Sequence, residues 1–575
     1  MQTFEAALFD ELTPIYPDTN PAEGFSSYRV AGANGTYAGV HIVLRGLTPG
    51  IPVSVEVQGP HGSYKLFELR ALPVEINTGA KQRTEYLKND VNEHVIRRAP
   101  FMIYDVLDPF YNIFQPQFPT AGIAFKTPIE YCRQPRTQTW TLLVTQGDAT
   151  KKLTLFVDEY PYQVTAAGKD TFQYVNWFSF SQLAQSHRAE KWSPLYLSIL
   201  EKYLRAAVYS RQNIFCITME EIFDLDETGK PILNEAHLET MVAVAKRAGI
   251  TLFHGGAFAV RHCSQADDDA FYASIDHSAL ESPDEIAEIY KQKAFDAFDY
   301  GKEAHVGMTG EIIPGSAGEN TLKSMAEQLY TWLAVHDLTD SWTQCCLDEP
   351  NEALEEAYRR ITSIVRAAMP NIPLLEPTLA GHPLEGTMDI WCPSLDQYEQ
   401  QLDFYNSRVA AGDKIWVYSC LTPGANYCNR LQDMERLRQV WLGWAPAKYT
   451  DIEGFLHWGG NYYHSEGVFR RQAGSFWEKV LEFHPKYAMY LPAGDGAIFF
   501  PGHDMPLICT RSEAHRIGLE DLCMLETLRV QCPDEAAALI AKVFRQFNDF
   551  EKDVAVYRRV RKELLEAVMA LEERK

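Results

Sequence analysis

The sequence predicts a multidomain α/β protein: an N-terminal β-sandwich over residues 1–165, a (β/α)8 TIM barrel over 166–530, and a C-terminal helical extension over 531–575. Three observations carry that expectation. Short runs alternating apolar and polar residues recur through the first region, separated by Gly, Pro and Asn clusters. From about Thr171 strand-like and helix-like segments alternate, and eight of them read as strands. From Pro533 onward the chain reads as two amphipathic helices dense in Lys, Arg and Glu.

The first region contains runs such as Thr36-Tyr-Ala-Gly-Val-His-Ile-Val-Leu, Pro52-Val-Ser-Val-Glu-Val, Thr137-Gln-Thr-Trp-Thr-Leu-Leu-Val and Lys152-Leu-Thr-Leu-Phe-Val. Even spacing with turn signals between them, such as Gly32-Ala-Asn-Gly, suggests a sandwich. It either binds carbohydrate or buttresses a catalytic domain. The eight later strands begin at Gln173, Asn213, Ile250, Trp342, Pro373, Thr387, Lys414 and Gly454. Helical periodicity is clearest over 195–207, 235–248, 321–335, 352–369, 395–411 and 431–442. A doubly wound open sheet is the alternative, but no glycine-rich phosphate loop comes after the first strand. Two stretches read as insertions, 260–285 and 299–320. The first carries Asp267-Asp-Asp, His262 and His277, whose spacing matches no familiar metal-ligand set and reads as a solvated lid. Residues 491–503 read as a turn and short strand, and 511–521 as a helix.

Composition narrows the function. The apolar fraction of 46% and aromatic fraction of 12% are those of a chain with large cores rather than a disordered one. A net charge of −24 argues against nucleic acid or an anionic membrane as partner, and fits a small-molecule or oligosaccharide substrate. Homo-oligomer formation is left open. The eleven Cys are scattered without a CxxC pair, which reads as buried thiols in a reducing compartment. The acidic first residues carry no basic-then-apolar leader pattern, so the expectation is a cytoplasmic protein.

The chemistry centres on Trp342-Thr-Gln-Cys-Cys-Leu-Asp348-Glu349-Pro350. Two acids stand side by side where the fourth strand ends, the end at which a (β/α)8 barrel builds its active site. Adjacent carboxylates oppose each other's ionisation and supply a usable acid, as glycoside hydrolysis requires. Taken alone, such a tripeptide is more often a solvated helix start, and the rest of the chain has to tell the two apart. Other polar and aromatic residues lie on or near strand ends: Asn176, Trp177, His254, Asp389, Trp391, Tyr418, His457, Trp458 and Asn461. Aromatic faces stack on sugar rings and amides or carboxylates bind hydroxyls, although barrel interiors also bury Trp and Tyr for packing alone.

These residues resemble glycoside hydrolase family 123, the N-acetyl-β-galactosaminidases. The resemblance rests on ordered pieces: Tyr174-Val-Asn-Trp177, Asp348-Glu349-Pro350, Asp389-Ile-Trp-Cys-Pro393, Trp416-Val-Tyr-Ser-Cys-Leu-Thr-Pro423, Gly454-Phe-Leu-His-Trp458, Gly494-Asp-Gly, Phe500-Pro-Gly and Arg516-Ile-Gly-Leu-Glu-Asp521. It implies a β-sandwich followed by a (β/α)8 barrel, and substrate-assisted retention in which the 2-acetamido oxygen attacks the anomeric carbon; no cofactor and no metal are expected. Glu349 would then be the general acid and later the base, needing a raised pKa. Asp348 would orient the acetamido group. Tyr418, Trp391 and Trp458 are expected to wall the pocket, Asn176 and Asp389 to bind sugar hydroxyls, and Trp177, His254 and Asn461 to complete the substrate site. Adjacent acids suit a substrate that brings its own nucleophile, because conventional retaining enzymes set two carboxyls about 5–5.5 Å apart across the bond. The alternatives are a conventional retaining glycosidase with Asp389 or Glu376 as nucleophile, a carbohydrate-binding protein without activity, and a metal-dependent hydrolase. The last would want paired His at strand ends, and His254 and His457 lie on different strands.

Overall fold

The protein is described from a computed structural model, over residues 4–81, 84–85, 90–262, 303–306, 310–379, 381–462 and 491–572. The N-terminal part is β-rich and forms two five-stranded sheets. The first runs in the order Glu5–Asp10, Tyr37–Arg45, Thr120–Pro128, Lys65–Val74, Phe101–Phe110, all antiparallel. The second runs Ser27–Asn34, Ala149–Gln163, Arg136–Gln146, Val53–Gln58, Ile113–Phe114, with only its first pair parallel. The period-two alternation selects the inner faces. Val40, Ile42, Leu44, Ile123 and Phe125 of one sheet share a core with Val55, Trp140, Leu142, Val144 and Leu155 of the other. Each such side chain stabilises the fold by about 1.5–3 kcal/mol through burial. The other face of the first sheet is also covered: Phe9, Val43, Leu69 and Tyr104 pack with Ile15 and Ile508.

All eight later strands are present and parallel, but in two sheets. Gln173–Asn176, Ile452–His457, Lys414–Tyr418, Ile390–Pro393 and Leu375–Thr378 form one, in that order. Ile214–Ile217, Leu252–Gly255 and Trp342–Gln344 form the other. The single closed ladder expected from the sequence is not formed. The strands are only three to six residues long, and side chains replace backbone pairing at one seam. There the Asn213 side chain accepts from Tyr174 N at 2.8 Å and Gln212 accepts from Asn176 N at 3.2 Å, leaving one backbone bond, Asn213 N to Tyr174 O at 3.2 Å. At the other seam a lone bridge joins Gln344 to Leu374.

Alternate residues of these strands point inward. Val175, Ile214, Cys216, Leu375, Ile390, Cys392, Trp416, Tyr418 and Leu456 form one inner cluster. Gly454 allows it, since a Cβ there would lie 2.4 Å from the Trp416 ring. The intervening residues, including Phe215, Phe253, Trp391 and Phe455, join the larger core beneath the helices. Those helices start where the sequence marks them. Ser193 and Pro194 begin Pro194–Tyr209, Asn234 caps Glu235–Ala248, and Gly249, at φ 102°, ends the latter. The helix expected over 431–442 instead runs Leu437–Lys448. Its residues are buried from Leu437 to Ala447, so no polar stripe fixes its bounds.

At the C-terminus, Thr510–Gln531, Pro533–Val543 and Val554–Glu572 are helices. The last one reaches the β-rich region as well as its neighbouring helix. Arg558 grips Asp10 at 2.7 and 2.8 Å, and Arg561 bonds both Asp521 and the carbonyl of Ala31. No described helix is long and apolar enough to cross a membrane.

Candidate active site

The acid pair is carried by the end of Trp342–Gln344 and held from both sides. Gln344 N donates to Pro373 O at 3.0 Å and Cys345 N to Gly255 O at 2.9 Å, which continues the strand past its regular end. Beyond that point the amides of Cys346 and Leu347 turn to a side chain, the carboxyl of Glu376, at 2.9 and 3.2 Å. Glu349 N then meets Pro377 O at 3.1 Å. The residue itself adopts φ 50°, a left-handed conformation uncommon for a side chain of this size. Strand pairing is irregular here, and the charge of Glu349 acts on Asp348.

Asp348 and Glu349 are both partly buried. Burial first, then the neighbouring charge of Glu349, pushes the Asp348 carboxyl up to about 7, against the opposing pull of Arg261. Glu349 is held differently. The Tyr418 hydroxyl donates to its Oε1 at 2.8 Å, and Arg261, itself 4% exposed, reaches its Oε2 at 3.3 Å. The carboxyl of the pair that burial lifts is Asp348.

Around the pair stand inward residues of several strands. Asp348 acts electrostatically on Cys216, Cys345, Cys392, Tyr418 and Tyr462. Tyr462 lies 5.1 Å from the Trp458 ring, and the Trp458 indole donates to Asp495 at 3.1 Å. Burial pushes Asp495 up to about 7 despite that bond and the charges of Arg430 and Arg511. Burial first, then the charges of Asp495 and Glu349, raise the Cys420 thiol. Trp177 packs against the inner cluster, and its indole nitrogen has no hydrogen-bond partner among the described residues. His254 bonds Thr343 Oγ1 at 3.0 Å, and burial draws it down to about 3, so its ring is neutral at physiological pH.

Four expected substrate contacts are used elsewhere. Asn176 faces outward, its amide donating to Gln212 at 2.6 Å and its oxygen accepting from Arg430 at 2.5 Å. Trp391 also faces outward, edge-on to Phe404 at 5.2 Å and bonded to Asp413 at 2.9 Å. Both are errors of parity: Val175 and Ile390 are the inward members, and each neighbour along a strand turns away. Asp389 precedes its strand at the opposite end from the acids, paired with Arg366 at 3.0 Å. Asn461 ties down Ser179 through its backbone N and O, at 2.7 and 2.9 Å.

Arg261, Tyr462 and Asp495 were not expected. Arg261 comes from the first insertion, on the short ribbon Val260–His262 paired with Glu303–His305, and a lone Arg in a loop carries no spacing signal. Asp495 lies in the Gly494-Asp-Gly piece, where a function was not assigned. The residues Asp267, Asp268, Asp269 and His277, and the rest of that stretch to 285, lie outside the described residues. Among the described residues no three His, Cys, Asp or Glu side chains are grouped to hold a metal ion. A cavity of about 600 Å³ opens at the other end of the strands, lined by residues that include Gln173, Leu252, Trp342 and Lys414 but neither Asp348 nor Glu349.

Known proteins match this architecture. A family 123 glycoside hydrolase from Clostridium perfringens, described for its glycolipid glycan hydrolysis, superposes with a TM-score of 0.66 at 12% identity, over 99% of this chain and 97% of that one. That likeness bears on the fold. A family 5 mannosidase from Rhizomucor miehei (TM-score 0.33, 10% identity, 66% of this chain and 96% of that one) and a GH10 xylanase from termite gut (0.31, 11%, 86% and 99%) are too distant to bear on it. No curated protein matches the chain. The family model described as glycoside hydrolase 123, catalytic domain, matches residues 177–528, more than half of the sequence and inclusive of Asp348 and Glu349, so the chain belongs to glycoside hydrolase family 123.

Proposed function

We propose that this glycosidase removes terminal β-linked N-acetylhexosamine, N-acetylgalactosamine foremost, by substrate-assisted retention. One observation carries the reading: two adjacent carboxyls share one strand end, while the distant acids that a conventional mechanism would recruit are withdrawn. Glu376 is fully buried with both oxygens engaged, and Asp389 is paired with Arg366 at the far end. With no enzymic nucleophile offered by either, the acetamido oxygen supplies the attack.

In this reading the acetamido oxygen bonds to the anomeric carbon as the glycosidic bond breaks, and Glu349 gives its proton to the leaving oxygen. Asp348 accepts the acetamido N–H and steadies the positive charge on the resulting oxazolinium. Water then adds at the anomeric carbon, Glu349 takes its proton, and the acetamido group is restored. Burial and the neighbouring charge of Glu349 favour the protonated form of Asp348, while Glu349 faces the Arg261 guanidinium and the Tyr418 hydroxyl. An arriving acetamido N–H needs a carboxylate at Asp348, so substrate binding transfers the proton to Glu349. Trp458, Trp177, Tyr418 and His254 remain the proposed sugar walls, now with Tyr462.

The seam contacts support taking the two parallel sheets as halves of a (β/α)8 barrel, with the β-rich region ending near residue 165 and a helical extension beginning near 531. Ten described cysteines are free thiols, which supports a reducing, cytoplasmic setting. Release of nitrophenol from 4-nitrophenyl N-acetyl-β-galactosaminide, abolished by Glu349→Gln, tests the activity. Tight binding of a thiazoline analogue of the oxazolinium tests the mechanism, and weak binding would point to an enzymic nucleophile instead.

A further inference from the structure

Glu376 makes and breaks no bond in the reaction above, yet it accepts four hydrogen bonds in a site with no exposure to solvent. Oε1 accepts from the Cys345 thiol at 2.8 Å and Leu347 N at 3.2 Å; Oε2 accepts from Cys346 N at 2.9 Å and the Tyr358 hydroxyl at 2.8 Å. The two amides are the significant donors. Gln344 N and Glu349 N both find carbonyls on the neighbouring chain segment, at Pro373 and Pro377. Between them lies a gap in the ladder, and the Glu376 carboxyl fills it. A buried amide left without an acceptor is destabilising. The carboxyl therefore lets the chain leave the strand geometry at Cys346 and Leu347, directly before the two acids. Without that release the alternation of a strand would send Asp348 and Glu349 to opposite faces.

We propose that Glu376 is the positioning residue of the acid pair: it takes the place of two ladder bonds and sets the turn that presents Asp348 and Glu349 to one substrate. This rests on reading those two acids as the reacting groups. The role holds in either ionisation state, since each oxygen receives one amide N–H, and no lone pair remains for attack on a sugar. The titratable groups facing it are Cys345 and Cys346 on its own seam, Tyr358 on the helix Glu355–Ala368, Asp348 at the strand end and Cys392 on the next strand.

Glu376→Gln tests it. The substituted amide sets an NH2 against a backbone N–H, so one of the two bonds is lost and the turn shifts. The expected result is a fall in kcat on the order of thirty- to hundredfold, because misplacement by about 1 Å costs that much, with KM within threefold of wild type. A carboxyl that merely supports the fold would lower the melting temperature and leave kcat per folded molecule unchanged, which overturns the proposal. Tyr358→Phe keeps both amide bonds and is expected to stay within threefold in kcat. Should the Gln variant not fold, Glu376→Asp, with its carboxylate withdrawn by one methylene, is read the same way. A crystal structure of the folded variant gives the answer without activity: Asp348 and Glu349 unmoved overturns the positioning role. Wild-type protein that hydrolyses no N-acetylhexosaminide would sink the hydrolase reading alone, and the crystal structure would still decide this one.

Discussion

The Tyr418 hydroxyl donates to Glu349 Oε1 at 2.8 Å while Arg261 reaches the other oxygen at 3.3 Å, so a seventh-strand residue and an inserted ribbon clamp one carboxyl between them. The clamp offsets a backbone at φ 50°, which costs a non-glycine residue roughly 1–2 kcal/mol. Tyr418→Phe removes this hydrogen bond and is expected to lower kcat about tenfold with the fold intact. Steady-state kinetics beside a melting curve would check it. An unchanged kcat would remove Tyr418 from the site.

Arg261→Ala acts on the proton. Arg261 holds down the Asp348 carboxyl, and its charge faces Glu349 directly, so its loss makes the pair harder to ionise. The alkaline limb of kcat/KM, where the pair loses its proton, should move to higher pH by about one unit. The pH–rate profile reads this, and a limb that stays in place argues that the pair does not govern it.

Asp348 also links pH to stability. Its folded value, about 7, lies above the ordinary aspartate value of 3.8, so between those limits the unfolded chain is ionised while the native carboxyl keeps its proton. The native state binds more protons there, and stability falls as pH rises through the window. Asp348→Asn has no such loss. The variant should melt with wild type near pH 4 and above it, on the order of 2 °C, at pH 8. Melting curves across that range decide the matter. A gap that narrows as pH rises would mean that the carboxyl is not raised.

The fold was legible because its signals are local. Period-two runs gave the two sheets, and caps at Ser193, Asn234 and Gly249 gave the helices their ends. The acids were legible because Pro350 and the strand before them mark a strand end. What stayed hidden depends on tertiary parity. Nothing in Tyr174-Val-Asn-Trp177 says that Val175 rather than Asn176 points inward, and the same one-residue ambiguity misplaced Trp391. The closed ladder failed for a similar reason, since Gln212 and Asn213 look like strand-flanking polar residues until their side chains are seen taking backbone amides. Arg261 reaches Glu349 across 88 residues of sequence, a separation without any pattern to read.

Asn176 tests that parity directly. As a buried acceptor for Arg430 and donor to Gln212, it should behave as a stability residue. Asn176→Ala leaves a buried guanidinium short of a partner, expected to cost about 2–3 kcal/mol in denaturant unfolding. KM for an aryl N-acetylhexosaminide should stay within twofold. A large rise in KM with little loss of stability would restore Asn176 to the sugar site.

Asp105 joins the β-rich region to the rest of the chain. It lies on Phe101–Phe110 with no solvent exposure, and accepts from Thr510 at 2.7 Å and Arg511 Nε at 2.9 Å, with Arg436 at 3.6 Å. Its neighbour Val106 bridges Cys509, and Leu107 N bonds Ile508 O at 2.9 Å, so the charge sits inside a continuous backbone contact. Burial alone would raise this carboxyl, yet Arg511 and Arg436 outweigh it and hold it below the usual carboxylate range. Its stabilising contribution is therefore present above pH 3.8 and is lost as pH falls through the lower folded value. Asp105→Ala leaves two guanidinium groups buried without their counter-charge and should cost about 3–5 kcal/mol at pH 7. Asp105→Asn keeps acceptor geometry on one side and should cost less. Denaturant unfolding of both variants, with activity followed in parallel, separates the outcomes: loss of both transitions together means that the two parts of the chain unfold as one body, and a new early transition means that the contact at Asp105 alone had joined them.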